Sequence, residues 1–228
     1  MCGRYGLWAP EDDVAKLFDV DYRIGDFGPT YNAAPSQMLP VVFERYEDGA
    51  ESPARRMQLL EWGLVPTWAK TAKRPMINAR SETLLDKPSF KASARRQRCL
   101  VPANGYFEWQ VEDGGKQPWF LSQGDGDPVM GFAGIFDAWQ DPESQQWLRT
   151  FAIITRSAPD AVGHIHDRSP VVVPQDMWSD WLDPQTQDDS SVQQMLDAIP
   201  GPALHPRRVG KAVGNVRNNN PSLIEPID

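Results

Sequence analysis

The second residue of the 228-residue chain is a cysteine, one of only two, Cys2 and Cys99. Methionine aminopeptidases remove Met1 when the next side chain is small, and such removal would leave Cys2 as the N-terminus. It would then carry a thiol with a pKa of about 8.5 and an α-amine with a pKa of about 7.7–8.0. An aldehyde condenses with such an amine to an imine. The thiol, two carbons away, can close on the imine carbon to give a five-membered thiazolidine. No internal cysteine can do this. Buried at the start of a strand, the same residue would be only a small hydrophobe, so its surroundings decide its reactivity.

Three further segments hold residue types suited to chemistry. In "PMINARSETL", Arg80 suits bidentate recognition of phosphate, and Asn78 offers a donor and an acceptor. Asn78 would equally cap a short helix over "ARSETL". In "VPANGYFEWQ", Glu108 lies between Phe107 and Trp109. An acid among aromatics is a candidate for a raised pKa and for general acid–base work, unless strand alternation turns it to water. Asn104 and Gly105 read as a tight turn. "GHIHDRSPVVV" holds His164 and His166, two of three histidines, which can move protons near neutral pH. Arg168 follows His166 by two, on the same side of an extended stretch. No Cys pair or HExxH helix accompanies the histidines, so neither a metal nor another cofactor is expected.

The net charge is −8, which argues against coating nucleic acid by general electrostatics. The charge is nevertheless unevenly spread. Lys70, Lys73, Arg74, Arg80, Lys87, Lys91, Arg95, Arg96 and Arg98 face only Glu82 and Asp86, and Arg207, Arg208, Lys211 and Arg217 form a second basic group. Such runs are often a solvated face. Here Trp62, Trp68 and Trp109 neighbour the basic region, and interleaved Arg and Trp hold single-stranded nucleic acid by stacking bases and tracking phosphates.

The elements that must position these residues are mainly strands. Alternating apolar runs predict strands in "QMLPVVF", "MQLLEWGL", "RCLVPANGYFEWQ", "KQPWFLS", "VMGFAGIFDAW", "WLRTFAIIT" and "PVVV". "VEDGGK", "QGDGDP" and "QDPESQQ" read as hairpin loops. Helices are expected over residues 9–19 and 175–183, over "SVQQMLDAI", and briefly at "SAPDAVGHI". With no regular alternation of strand and helix, the class is α+β, rich in antiparallel strands. No linker interrupts the chain, so residues 1–228 read as one domain. No apolar run reaches membrane-spanning length and no signal segment precedes "CGRY". A soluble, cytoplasmic monomer with free thiols is the expectation.

The blocks "MCGRY", "YNAAPSQ", "EWGLVPTWAK", "INARSET", "RCLVPANGYFEW", "HDRSPVVV" and "NNNPSLIEP" together resemble the SOS response-associated peptidase (SRAP) family, in that family's order and over nearly the whole chain. The resemblance implies a central barrel-like antiparallel β structure with surrounding helices. It also implies a sensor of abasic sites in single-stranded DNA, whose N-terminal cysteine forms a thiazolidine with the ring-opened sugar aldehyde. Carried over by matching motif, Cys2 is the nucleophile, and Asn78, Glu108 and His166 line its pocket. Glu108 would hold the amine and accept its proton, His166 would protonate the sugar ring oxygen, and Asn78 would orient the amine or the nascent hydroxyl. Arg4, Trp68, Arg80 and Arg168 lie in blocks resembling DNA-contacting segments, with Thr155 near the pocket. Ser169 departs from the Met usual after "HDR". The family name further implies proteolysis, a hydrolase activity that would include self-processing to expose Cys2.

Two other classes fit parts of the pattern. An N-terminal nucleophile amidotransferase also begins Met-Cys-Gly and would release ammonia from glutamine. A non-catalytic reader of single-stranded or modified DNA would bind through the same basic groove without needing Cys2.

Overall fold

The computed structural model describes residues 2–227, apart from the side chains of Asp160 and Ala161. The expectation that Met1 is removed lies outside the described residues. The strands are β1 (Tyr5–Leu7), β2 (Tyr22–Ile24), β3 (Thr30–Ala33), β4 (Met38–Tyr46), β5 (Pro53–Trp62), β6 (Asn78–Arg80), β7 (Arg98–Ala103), β8 (Gly105–Glu112), β9 (Gly115–Ser122), β10 (Met130–Gln140), β11 (Trp147–Ser157), β12 (Arg168–Pro170), β13 (Val172–Val173) and β14 (His205–Arg208). The helices are α1 (Glu11–Leu17), α2 (Pro88–Arg96), α3 (Asp160–Gly163), α4 (Trp178–Leu182) and α5 (Asp189–Ala198). The class is α+β and strand-rich.

Five strands close a barrel. β4 pairs antiparallel with β5 and β7, β7 with β10, and β10 with β11. The ring closes where β11 meets β5 in parallel, Thr150 opposite Glu61 and Phe151 opposite Trp62. Within the barrel the antiparallel expectation therefore holds except at this seam, whose partners are about 90 residues apart in sequence, and outside it β2 with β5 and β6 with β11 are parallel as well. Above the seam β6 takes over beside β11, with Asn78 opposite Ile153. A second sheet runs in the order β14-β9-β8-β1-β3.

"RCLVPANGYFEWQ" does not form a hairpin. β7 belongs to the barrel and β8 to the second sheet, and Asn104 is the point of transfer. Its Oδ1 accepts the Trp8 and Ala9 N–H groups at 2.9 and 3.2 Å, and its Nδ2 donates to the Asp127 carbonyl at 2.7 Å. At Gly105 a Cβ would stand 2.2 Å from the Phe120 ring, so only glycine fits this close approach. "QGDGDP" likewise links the two sheets rather than closing a hairpin. "VEDGGK" and "QDPESQQ" do join paired strands.

Each of the four expected helical stretches contains helix. Pro10 stands one residue before α1, whose inner face buries Val14, with Phe18 just beyond it. α2 was not foreseen, because its charged sequence "PSFKASARR" buries only Phe90, Ser93 and Ala94. The main core runs from Cys2 to Leu204. A smaller cluster of Phe107, Phe120, Val209, Val213 and Leu223 covers the other side of the second sheet. Among the described residues no helix is long and apolar enough to cross a membrane.

Candidate active site

The site forms where the second sheet abuts the end of the barrel that carries the parallel seam. β1 lies between β3 and β8, with Tyr5 opposite Tyr106, and the Phe107 N–H donates to the Arg4 carbonyl at 2.9 Å. This register brings Glu108 of β8 beside the first residues of the chain. Tyr5 caps the barrel lumen, its ring centroid 5.2 Å from that of Trp62.

Cys2 is fully buried. Burial pushes its thiol pKa well up, and the nearby Glu108 carboxylate pushes it further, against a hydrogen bond from the Arg4 N–H. A protonated, reserved thiol results at neutral pH. Glu108 is 4 % exposed, and burial raises its carboxyl to about 7. Flanking aromatics were expected to cause this shift, yet alternation along β8 turns Phe107 to the opposite cluster, which Trp109 joins. The neighbour that shares the inward face with Glu108 is Tyr106. Neither neighbour packing nor solvent therefore governs the acid, because its own strand face is buried.

His166 lies between α3 and β12. Its Nε2 is 3.9 Å from Glu108 Oε2. The Arg168 backbone N–H donates to Nδ1 at 3.0 Å, so the neutral ring carries its proton on Nε2, toward Glu108. Burial lowers the His166 pKa, which favours this neutral form. The exposed Asp167 carboxylate, 3.1 Å from Nδ1, would favour the alternative tautomer or the charged ring. The backbone donor is the better anchored of the two and sets the tautomer.

Asn78 does not cap a helix; it sits in β6, with a 3-10 turn over Ser81–Thr83 after it. Its Nδ2 makes a long contact of 3.5 Å to the Ile153 carbonyl, and its buried Oδ1 has no donor among the described residues. An orphaned buried acceptor of this kind suits an incoming N–H or O–H. Two hydroxyls near Cys2 went unforeseen, those of Tyr5 and Tyr106. Tyr106 shares a hydrogen bond of 3.1 Å with Ser169, and the buried Tyr5 hydroxyl is unpartnered among the described residues. The Ser169 departure is thus accommodated by a polar partner. Tyr106 was findable by counting two residues back from Glu108 on a strand.

The expected DNA-contacting residues divide. Trp68 is 64 % exposed, on a loop with Lys70, Lys73 and Arg74, and Arg80 is exposed at the end of β6. Arg4 is half-buried, donating to Asn32 Oδ1 and the Val213 carbonyl at 2.8 Å each and lying over Trp109 at 5.7 Å. Thr155 is fully buried, and Arg168 is turned inward onto both oxygens of Glu82, at 2.7 and 2.9 Å, and onto the Thr155 carbonyl at 2.7 Å. Neither Thr155 nor Arg168 offers a DNA strand a surface, because a buried guanidinium keeps its carboxylate. The basic stretch also breaks up. Lys91 and Arg95 pair with Asp189, and Arg98 is buried against five backbone carbonyls, its pKa lowered to about 10 by burial. His164 is exposed, with its ring edge on Trp119. Among the described residues no group of His, Cys, Asp and Glu could hold a metal ion.

Residues 1–216 match the family model described as SOS response associated peptidase (SRAP). The abasic site processing protein YoqW of Bacillus subtilis is 34 % identical over 99 % of both chains. The abasic site processing protein HMCES of Gallus gallus is 33 % identical over 90 % of this chain and 68 % of its own. A crystal structure of a Bacteroides thetaiotaomicron protein superposes with a TM-score of 0.83 at 24 % identity, over 99 % of this chain and 100 % of that one, and shows the shared fold. A phage-related protein of Bordetella bronchiseptica, 32 % identical, superposes with a TM-score of 0.67 over 91 % of this chain and 94 % of its own.

Proposed function

The chain belongs to the SOS response associated peptidase family, and from that premise we propose that it captures abasic sites in single-stranded DNA as a covalent thiazolidine on Cys2, once Met1 has been removed. The observation that carries this reading is a buried carboxyl with pKa about 7, facing the Nε2 of a neutral histidine at 3.9 Å, beside a buried cysteine at the head of the chain.

The chemistry follows from those protonation states. A thiol kept protonated by burial is not the first nucleophile; the α-amine is. Glu108, half ionised near pH 7, takes a proton from the ammonium and leaves the amine free to attack. In the fraction of molecules whose ring carries a second proton, His166 gives its Nε2 proton to the ring oxygen of the closed sugar while the Glu108 carboxylate takes the anomeric hydroxyl proton, releasing the aldehyde, and Glu108 then returns that proton to the imidazole. The amine adds to the carbonyl, and the Asn78 Oδ1 accepts from the amine or the new hydroxyl. Water leaves to give the imine. The thiol then adds through sulfur to the imine carbon while its proton passes to nitrogen, so the net change is loss of one water. Trp68 stacks a base and Arg80 neutralises a phosphate, while Arg4 and Trp109 fix the chain start on the far face of β8. Thr155 and Arg168 act as supports beneath the site. Self-processing would use the same pair to cleave before Cys2, adding water back to the thiazolidine would reverse the capture, and a lyase step would be an elimination from the sugar held as its imine. We take the whole chain as one domain that acts as a cytoplasmic monomer on nucleoid DNA.

The test is an abasic single-stranded oligonucleotide mixed with protein whose mass shows Met1 absent. A denaturation-resistant adduct, 18 Da lighter than the sum of its parts, is expected with wild type and absent with Cys2→Ala. Salt-dependent binding without an adduct would leave only a non-covalent reader, and Cys2-dependent ammonia release from glutamine would place the chain among amidotransferases.

A further inference from the structure

The barrel has a second end, away from Cys2. The β4–β5 and β10–β11 hairpins both turn there, and a cavity of about 540 Å³ opens between them. Its wall includes four arginines, Arg45, Arg56, Arg96 and Arg149. Its floor is apolar, with Phe43 and Phe136 at a centroid distance of 4.8 Å and Leu60 beneath. In β5, Arg56, Gln58 and Leu60 alternate onto this one face.

In a chain of net charge −8, four cations around one cavity are not a generic surface. Like charges so gathered repel unless an anion joins them. Among the described residues the wall holds a single carboxylate, Glu44, and Arg55 from outside occupies it at 2.7 and 3.0 Å. Arg56 pairs with Glu47 yet leaves its buried Nε–H without an acceptor, and Arg149 donates to Gln58 Oε1 at 3.0 Å. Arg45 and Arg96 are exposed and have no acceptor among the described residues. Three wall amides keep hydrogen-bonding capacity. Gln58 retains its N–H groups, whereas Gln97 and Gln187 spend N–H donors on Asp137 and the Pro184 carbonyl and retain their carbonyl oxygens.

We propose that this cavity binds a nucleoside monophosphate, its base over Phe43 and Phe136 with its edge read by the glutamine amides, and its phosphate among the arginines. The volume lies within the range of small-molecule sites, an aromatic floor suits a base, and guanidinium forks match phosphate oxygens. A free inorganic anion would make no use of the floor, and an apolar ligand none of the arginines. The site is separate from the Cys2 chemistry and does not depend on it.

Calorimetric titration of the full chain with deoxyadenosine 5′-monophosphate tests this. Saturable one-to-one binding is expected, with deoxyadenosine and inorganic phosphate each at least about tenfold weaker. The double variant Arg45→Ser/Arg96→Ser alters two exposed side chains and should keep the wild-type melting temperature while losing at least about tenfold in affinity. Arg80→Ser, at the other end of the barrel, should bind the nucleotide as wild type does. No saturable binding, equal binding of phosphate alone, undiminished affinity in the double variant, or a loss confined to Arg80→Ser would each overturn the proposal.

Discussion

Glu108 and Glu82 flank one short stretch, His166–Arg168, yet burial pushes the carboxyl of Glu108 up to about 7 while the Arg168 guanidinium holds that of Glu82 down at about 2. Both are glutamates beside a basic residue from the same segment. What differs is the partner's charge and the access of water. Glu108 is buried opposite an imidazole that burial keeps neutral, and its lost hydration is the largest influence on it. Glu82, with its side chain 47 % exposed, is clasped at both oxygens by a permanent cation. The first pair can exchange protons near neutral pH and the second cannot, which under the proposed function separates a reacting pair from a supporting one.

The comparison breaks most sharply at Glu108 itself. Glu108→Gln keeps the shape and removes the base, so adduct formation should slow by about a hundredfold or more, and the rise of wild-type rate with pH through about 7 should flatten. Wild-type kinetics in this variant would show that the raised acid is idle. On the supporting side, Arg168→Met should lower unfolding stability by about 3 kcal/mol, because Glu82 and the Thr155 carbonyl lose a buried donor; denaturant unfolding measures it, and a loss below about 0.5 kcal/mol would make the pair ornamental.

The two acids should also respond oppositely to pH. For Glu108 the folded pKa lies above the ordinary 4.5, so the folded state holds the proton more tightly and stability falls as pH rises from about 4.5 to about 7. Glu108→Gln should therefore be more stable than wild type at pH 8, by about 3 kcal/mol, with the two curves meeting at and below about pH 4.5. Melting temperatures that stay in register across that window would contradict the assigned shift. Glu82 has the reverse sign. Its folded pKa is depressed, so its contribution is present above about 4.5 and is lost as pH falls toward about 2. Half-exposure limits Glu82→Gln to a cost of about 1 kcal/mol at pH 7, and the gap from wild type should close in acid.

Cys2, Asn78, Glu108 and His166 were each legible as chemically suited residues, and the motif blocks pointed to their assembly. Strand alternation also located most of the sheet. Arg168 shows where such reading stops. Its position two after His166 is plain in the chain, but its partner Glu82 lies 86 residues away, and no local pattern marks a glutamate for a buried guanidinium rather than for water. α2 escaped for a related reason, since its charged face reads as solvated until the core places Phe90 and Ala94.

By itself the sequence determined the local choices: a cysteine behind Met1, strands of period two, and the acid, amide and imidazole that accompany it. Only the tertiary structure decided which side of each strand is buried and what stands opposite it. β7 and β8 part company at Asn104, the barrel closes through the parallel meeting of β5 and β11, and Glu108 thereby faces inward with Tyr106. Local steric and hydrogen-bond preferences act over a few residues and can be read in order. Desolvation and ion pairing act through space, and the "MCGRY" start becomes a site only when distant strands close around it.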